Sequence, residues 1–304
     1  MSLTLNDNTN TNTNTNTNTN TNTNTNTNTN NLNYRKLKIL DSSYKICIIK
    51  DEELHDSSFE CREGCIDLTY IKNLFWKPIK NISDIVEKFC NNNNYKNILE
   101  IGPGIELFPL ATTFIGYNEK IKNYIEIDID VDKIPATDKS FDFIYSRHTM
   151  EDIQNPDFAM KEIIRCSNSG YIETPSPLVE IMKGIDANEH SSKYAGYIHH
   201  RYIVWSDIEK CEIYFLAKNS IILDYFISYN NKELLRINNI LNNYPVYWNN
   251  YFIWSDREPK IIMYKNGVNY GLKNNIVEDY VRLVNESINK TITNTNYFIK
   301  TYNN

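Results

Sequence analysis

The chain has 304 residues, and 41% hydrophobic with 12% aromatic residues is enough to close a globular core. Its net charge of −6 and the lack of a dense Lys/Arg block argue against nucleic-acid binding. No run of about 18 apolar residues predicts a membrane span, and the polar N-terminus is unlike a secretion signal. We therefore expect a cytoplasmic protein with neither a nucleic-acid nor a membrane partner.

The Thr-Asn alternation of residues 9–30 has the period of a strand but offers no apolar face to bury. Nothing offsets the entropy lost on ordering such a segment, so residues 1–31 are predicted to be a disordered tail. Residues 32–80 are predicted to be an N-terminal extension, with a hairpin within residues 36–53.

The six cysteines are too sparse for a disulfide scaffold, and we interpret them as reduced thiols. Cys61 and Cys65 have the spacing of half a zinc site, but no second pair with ligand spacing follows. The sequence therefore predicts no metal site.

The next segments alternate between helical and strand patterns. NISDIVEKFCNNNN (81–94) predicts a helix with Ser83 as its N-cap. NILEI (97–101) predicts a buried parallel strand that ends at a Gly102-Pro103-Gly104 turn, where open α/β sheets bind their ligands. The third glycine of a dinucleotide fingerprint and the GK pair of a phosphate loop are both missing.

Four further strand candidates follow, with a helix in PDFAMKEIIRCSN (156–168), and together they predict a wound α/β sheet. The candidates are TTFIGY (112–117), NYIEIDIDVD (123–132), SFDFIYS (140–146) and SGYIETPS (169–176). Asp128, Asp130 and Asp132 alternate, so they should share one face of the third strand if it stays regular.

The order LEIGPG, DVDKIPATDKSFDFIYSRHTMEDIQNP and RCSNSGYIETPSP resembles the class I S-adenosylmethionine-dependent methyltransferases, most of all the type 11 branch. The resemblance covers about residues 82–205. It implies a doubly wound, seven-stranded Rossmann-like sheet, closed by an antiparallel C-terminal hairpin. We assign YPVYWNNYFIWSD and PKIIMYKN, on either side of residues 255–258, to that hairpin.

The resemblance also implies roles for individual residues. S-adenosylmethionine is the implied cofactor, with Glu100, Gly102, Pro103 and Gly104 lining its methionine part. Asp130 matches the acid that meets the adenine amine, and Arg147 and His148 match positions that face cofactor and acceptor. The chain departs from the family at Gly116, where an acid normally binds the ribose, and Asp128 could compensate.

Side chains that could contact the acceptor follow the fourth and fifth strands. His148 is the first candidate for a general base, with a capping histidine as the alternative, and His199 is a second catalytic candidate. His200 and Arg201 offer donors for an anionic or polyhydroxylated acceptor. Glu173 is a third predicted substrate contact, with a structural strand exit as the alternative. Metal binding by His199 and His200 is not expected, because neighbouring side chains diverge on a strand.

The predicted organisation is a methyltransferase-like domain at residues 81–270, followed by a C-terminal helix and tail at 271–304 outside the core. KELLRINNILNN (232–243) predicts a further helix on the sheet. The leading functional hypothesis is methyl transfer to a small-molecule acceptor, such as O-methylation of a sugar or sugar-nucleotide. The alternative is an inactive methyltransferase-like scaffold that binds other proteins. A glycosyltransferase or a dehydrogenase is a weaker third hypothesis.

Overall fold

The computed structural model describes residues 80–104, 106–116, 122–183, 185, 194–265 and 275–303. The predicted tail, the hairpin of residues 36–53 and the Cys61/Cys65 pair lie outside these residues. Cys90, Cys166 and Cys211 are buried thiols. In the described part of the chain, no helix combines the length and the apolar character that crossing a bilayer requires.

Within the described ranges, nine strands form two sheets, and the larger one has six strands in the order β3-β2-β1-β4-β5-β8. Its parallel strands confirm the predicted α/β class, and β8 pairs antiparallel with β5 at one edge. The smaller sheet has the order β6-β7-β9. The strands are β1 Ile98–Ile101, β2 Thr113–Gly116, β3 Tyr124–Glu126, β4 Phe143–Arg147, β5 Gly170–Pro175, β6 Tyr202–Asp207, β7 Glu212–Ala217, β8 Asn249–Trp254 and β9 Lys260–Tyr264.

Among the described residues, the larger sheet has six strands rather than the predicted seven, and the two C-terminal strands do not form the predicted closing hairpin. β8 and β9 are both strands, as expected, but they belong to different sheets. β8 is buried along its whole length and pairs with β5, whereas the half-buried β9 runs parallel to β7. The aromatic and β-branched pattern predicts that a segment is a strand, but it does not specify the strand's partner.

The helices of the described residues are α1 Lys80–Asn92, α2 Pro156–Cys166, α3 Pro177–Glu180, α4 Ser220–Tyr229, α5 Asn231–Asn243 and α6 Ile276–Tyr302, with a 3-10 turn at Pro245–Trp248. α1, α2 and α5 occur where the sequence predicts helices. α1 buries Ile82, Ile85 and Val86 on one face, as helical spacing requires. Ser83 is not its N-cap, because the helix begins earlier and Ser83 Oγ lies 3.3 Å from Glu87 Oε1.

The sequence predicts that the C-terminal helix lies outside the core. Helix α6 is instead part of the core. It buries apolar residues such as Leu283, and it packs against β6 and β8. Asn294 Nδ2 donates to Ser206 Oγ at 2.9 Å and to the Tyr251 carbonyl oxygen at 2.7 Å. Its Oδ1 accepts from Ile208 N at 2.8 Å, so one buried amide connects the helix to both sheets. The polar residues of this segment conceal its core position in the sequence.

The third strand is shorter than predicted. β3 ends at Glu126, and the following chain turns, with Asp132 N donating to the Asp128 carbonyl oxygen at 2.7 Å. Asp128, Asp130 and Asp132 therefore do not alternate along one strand face. The side chains of Asp128 and Asp132 accept from backbone N–H groups of this turn, because short acids compete well for nearby N–H groups.

Candidate active site

A cleft of about 470 Å³ opens at the carboxyl ends of β1, β2 and β4. The strand order reverses between β1 and β4, since β2 and β3 extend the sheet to one side and β5 to the other. Open α/β sheets bind ligands at such a switch point. The cleft is lined by Ile101, Gly102, Pro103, Ile115, Gly116, Ile127, Asp128, Ile129, Asp130, His148, Thr149, Asp152 and Ile153.

The two glycines of the β1 turn differ in what they do. Gly102 has φ +68°, and a Cβ there would lie 2.0 Å from Thr149 Oγ1, so only glycine fits. Gly102 and Pro103 both line the cleft. Gly104 is exposed, a Cβ there would meet no atom within 4 Å, and it is not among the lining residues. The predicted cofactor contact of Gly104 is therefore not supported by its position.

Glu100 is buried beneath the turn and does not line the cleft. Its Oε2 accepts from Phe108 N at 2.9 Å, which ties the loop after β1 back to the strand. Burial raises the pKa of Glu100 to about 7, against the opposing effects of the Phe108 hydrogen bond and the Arg147 charge. The geometry gives Glu100 a role in positioning this loop.

Two acids of the turn after β3 lie on the cleft wall. Asp128 Oδ1 accepts from Asp130 N at 3.0 Å. Asp130 Oδ1 accepts from Asn155 N at 2.7 Å, which joins this turn to the start of α2. Both acids line the cleft, and so does Gly116. The wall therefore offers carboxylate acceptors to the hydroxyls and exocyclic amine of a nucleoside.

His148 lies on the opposite wall, directly after β4. Its backbone has φ +51°, which is uncommon outside glycine, and its N–H donates to the Glu173 carbonyl oxygen at 2.8 Å. Its Nδ1 is 3.4 Å from Glu151 Oε1. Burial, followed by the charges of Arg147 and His200, lowers the pKa of His148 well below its usual value. The imidazole is therefore neutral near pH 7, which is the state that a general base requires.

Arg147 and Glu173 do not line the cleft, although both were predicted site residues. Arg147 Nε donates to Glu173 Oε1 at 3.1 Å, and Asn249 Nδ2 donates to the same oxygen at 2.6 Å. Tyr171 OH donates to Glu173 Oε2 at 2.6 Å. Glu173 is 2% exposed, so its carboxylate serves internal donors, and the structural alternative for this residue fits its surroundings.

His199, His200 and Arg201 lie in the turn before β6 rather than on a strand. Their segment borders the cleft, because Arg201 Nε donates to the carbonyl oxygen of Asp152, a wall residue, at 3.0 Å. The sequence predicts that the two histidine side chains diverge, but the centroids of their imidazole rings lie only 4.4 Å apart. His199 and Arg201 are exposed, whereas His200 is buried.

A buried ion pair lies behind His200 and was missed in the sequence. Glu180 Oε1 is 2.6 Å from His200 Nδ1, and Glu180 Oε2 is 2.5 Å from Lys218 Nζ. Burial alone would raise the pKa of Glu180, but Lys218 and His200 outweigh it and lower that pKa. The glycine at position 196 is the sequence signal that was available. Its φ is +59°, and a Cβ there would lie 2.4 Å from Glu180 Oε2, so the pair requires glycine at this position.

Comparison with known proteins finds similarity to methyltransferases. Residues 70–209 match the family model for a methyltransferase domain. A search among curated proteins finds no match. The similar solved structures include S-adenosylmethionine-dependent methyltransferases from Mesorhizobium loti (18% identity, 28% of this chain and 49% of that chain, TM-score 0.24) and Clostridium acetobutylicum (16%, 42% and 63%, TM-score 0.29). A possible histamine N-methyltransferase from Thermotoga maritima has 21% identity over 34% of this chain and 54% of that one, with a TM-score of 0.26.

The chain spans about half the length of the first of these structures. At such TM-scores the assignment depends on the family model, whose range includes the β1 turn, the acidic turn and both histidine segments. The resemblance to methyltransferases seen in the sequence is confirmed over this range, because residues 70–209 match the methyltransferase-domain model.

Proposed function

We propose that this chain transfers the methyl group of S-adenosylmethionine to a small-molecule acceptor, with the cofactor bound in the cleft at the β1/β4 switch point. The observation that carries the proposal is the cleft itself. It combines a bare glycine backbone at Gly102 with two carboxylates at Asp128 and Asp130 on one wall and a neutral imidazole at His148 on the other. Its volume of about 470 Å³ falls in the usual range for small-molecule sites.

The cleft residues fit the parts of the cofactor. Gly102 and Pro103 let the methionine part approach the backbone, because no Cβ intervenes at Gly102. Asp130 would accept from the adenine amine. Asp128 would accept from the ribose hydroxyls and replace the acid that the family carries where this chain has Gly116.

The proposed mechanism depends on position more than on acid strength. The bound cofactor supplies a methyl group on a sulfonium, which is already a good leaving group. Holding the acceptor in line with that methyl is worth up to about 7–11 kcal/mol of the barrier. His148 would accept the proton of an acceptor hydroxyl, a contribution of about 10² to 10⁴ in rate. His199 is a second candidate for this step, since its exposed ring lies beside Asp152.

For the acceptor we propose a hydroxyl of a sugar or sugar-nucleotide. The support is the exposed pair of His199 and Arg201 beside the cleft, whose N–H groups suit a polyhydroxylated or anionic molecule. Glu173 is not part of this proposal, because its carboxylate is occupied by internal donors.

Calorimetric titration with S-adenosylmethionine and its demethylated product tests the cofactor site. We expect saturable binding, weakened about 10- to 100-fold by Asp130→Asn, since a hydrogen bond to a charged group contributes about 1.5–3 kcal/mol. Asp84→Asn, the same substitution on the exposed face of α1, is the matched control and should leave the affinity unchanged. An absence of binding, or equal affinities for the wild type and Asp130→Asn, would contradict the cofactor assignment.

Turnover with labelled cofactor and a panel of sugars, sugar-nucleotides, amines and carboxylic acids tests the acceptor. Labelling of a sugar hydroxyl would support the full proposal, and labelling of another class would retain the enzyme but replace the acceptor. Tight cofactor binding without transfer to any compound of the panel would favour the inactive scaffold instead.

A further inference from the structure

A separate cluster of metal-ligating side chains adjoins the cleft: Asp152, His199 and His200, which we name the Asp–His–His cluster. Asp152 Oδ1 lies 4.0 Å from His199 Nε2 and 3.9 Å from His200 Nε2. One ligand atom from each residue lies within 4.8 Å of the other two. These distances are too long for hydrogen bonds, so the three side chains are not held together by bonds to one another.

Asp152 Oδ1 also lacks a donor. Within the described part of the chain, this atom is buried and accepts no hydrogen bond. A buried carboxylate oxygen without a donor is costly, unless a cation completes its surroundings. The oxygen faces two imidazoles, which are themselves common metal ligands.

The orientation of His200 is fixed from behind. Its Nδ1 is 2.6 Å from Glu180 Oε1, and Lys218 Nζ, at 2.5 Å from Glu180 Oε2, favours the charged carboxylate. A carboxylate at this distance takes the Nδ1–H of the ring, which leaves the Nε2 lone pair directed toward Asp152. Metal-binding histidines characteristically donate their second ring N–H to such a carboxylate.

Hydrogen bonds to backbone carbonyl oxygens hold the segment of His199 and His200 next to the segment of Asp152. Arg201 N donates to the Glu151 carbonyl oxygen at 2.8 Å, and Arg201 Nε donates to that of Asp152 at 3.0 Å. Tyr202 OH donates to the Gln154 carbonyl oxygen at 3.1 Å. The segment before β6 is thereby fixed to the segment after β4. His199, with 53% of its side chain exposed, retains the freedom to close on an ion.

We propose that the Asp–His–His cluster is a binding site for a divalent transition-metal ion, with Zn²⁺ as its representative. Two imidazole nitrogens and one carboxylate oxygen suit Zn²⁺ and its neighbours, whereas Mg²⁺ and Ca²⁺ prefer oxygen alone. Zinc bonds of about 2.0–2.2 Å at tetrahedral angles place ligand atoms about 3.4 Å apart, so the two Asp152–histidine distances must contract by about 0.5 Å, and no pair of ligand atoms by more than about 1.4 Å.

Three protein ligands leave at least one coordination position open. Because Asp152 also lines the cleft, that position adjoins the space in which an acceptor would bind. An oxygen atom of the acceptor fits there in place of water. This use of the metal depends on the proposed methyl transfer, whereas metal binding itself does not.

Titration of the chelator-treated, full-length chain with ZnCl₂, without cofactor, tests the site. We expect one Zn²⁺ site that Asp152→Asn and His199→Asn each weaken at least about 100-fold, because each removes one of three ligands. Glu180→Gln should weaken it about 10- to 100-fold by releasing the His200 ring. His199 is exposed, so His199→Asn should fold normally, and Asp84→Asn is the control on a distant helix.

Co²⁺ substitution separates this site from cysteine ligands elsewhere in the chain, because thiolates add a charge-transfer band that nitrogen and oxygen ligands lack. We expect a cobalt spectrum without that band, and Mg²⁺ binding far weaker than Zn²⁺ binding. The proposal is overturned if the wild type takes up no Zn²⁺, or if Asp152→Asn and His199→Asn bind Zn²⁺ as tightly as the wild type does. It is also overturned if the wild type binds Mg²⁺ as tightly as Zn²⁺. Cofactor titration of the metal-free chain tests the methyltransferase proposal independently.

Discussion

On the β1 side of the cleft, the loop after the strand is bonded back to that strand over a short sequence distance, whereas the β6 side joins distant segments. Glu100 bonds to Phe108, only eight positions further along the chain. On the β6 side, Glu180 bonds to Lys218 over 38 positions, and Arg201 bonds to Asp152 over 49. The first side can therefore be inferred from a motif. The second exists only once the fold is complete, and it contains the buried Glu180–Lys218 ion pair.

The largest expected effect is on the β6 side, at the buried ion pair. Glu180→Gln leaves the Lys218 ammonium, only 11% exposed, without its carboxylate. We expect a loss of about 3–5 kcal/mol in the free energy of unfolding, measured by urea denaturation.

Lys218→Met in the Glu180→Gln background should recover part of that stability, because the unpaired charge is then absent. If Glu180→Gln alone proves as stable as the wild type, the β6 side is not held by this pair, and the contrast between the two sides fails.

The next effect is on the β1 side and depends on pH. The pKa of Glu100 is raised from 4.5 to about 7 in the folded protein, so between these values the folded state binds more protons than the unfolded state. The stability contributed by the protonated carboxyl is therefore present below about pH 4.5 and lost as pH rises to about 7, by about 3 kcal/mol in total.

Glu100→Gln should remove this decline, since an amide does not titrate. The measurement is the difference in unfolding free energy between the wild type and the variant across pH 4–8, which cancels groups common to both. A difference that stays flat would show that Glu100 is ionised normally in the folded chain.

The smallest effect compares the two glycines of the β1 turn. Gly102→Ala places a Cβ against Thr149 at a positive φ, and should cost about 2–3 kcal/mol of stability. Gly104→Ala meets open space and should change stability by no more than about 0.5–1 kcal/mol, in either direction. Thermal unfolding of both variants measures these two changes in stability. Equal effects would mean that the turn does not distinguish its two glycines as the geometry indicates.

Sequence reasoning succeeded where a signal is local. The helix of residues 156–166, the buried strand of residues 98–101 and the placement of Gly102, Asp130 and His148 in one cleft all follow from periodicity, turn residues and a family motif. The motif also predicts that Gly104 contacts the cofactor, but Gly104 does not line the cleft, because residues that are adjacent in a motif need not face the same space. The core position of α6 was not predicted, because the helix buries polar residues, of which Asn294 bonds to both sheets.

By itself, the sequence determined the α/β class, the position of the strand that ends in the glycine turn, and the resemblance to methyltransferases, whose domain model residues 70–209 match. Each of these depends on residue types at short, fixed spacings, which backbone geometry converts directly into structure. The tertiary structure alone decided that β8 and β9 belong to different sheets and that Glu173 accepts a hydrogen bond from Arg147. It also decided that Asp152 lies close to His199 and His200. Such contacts depend on which distant segments pack together, and no spacing in the chain encodes that choice.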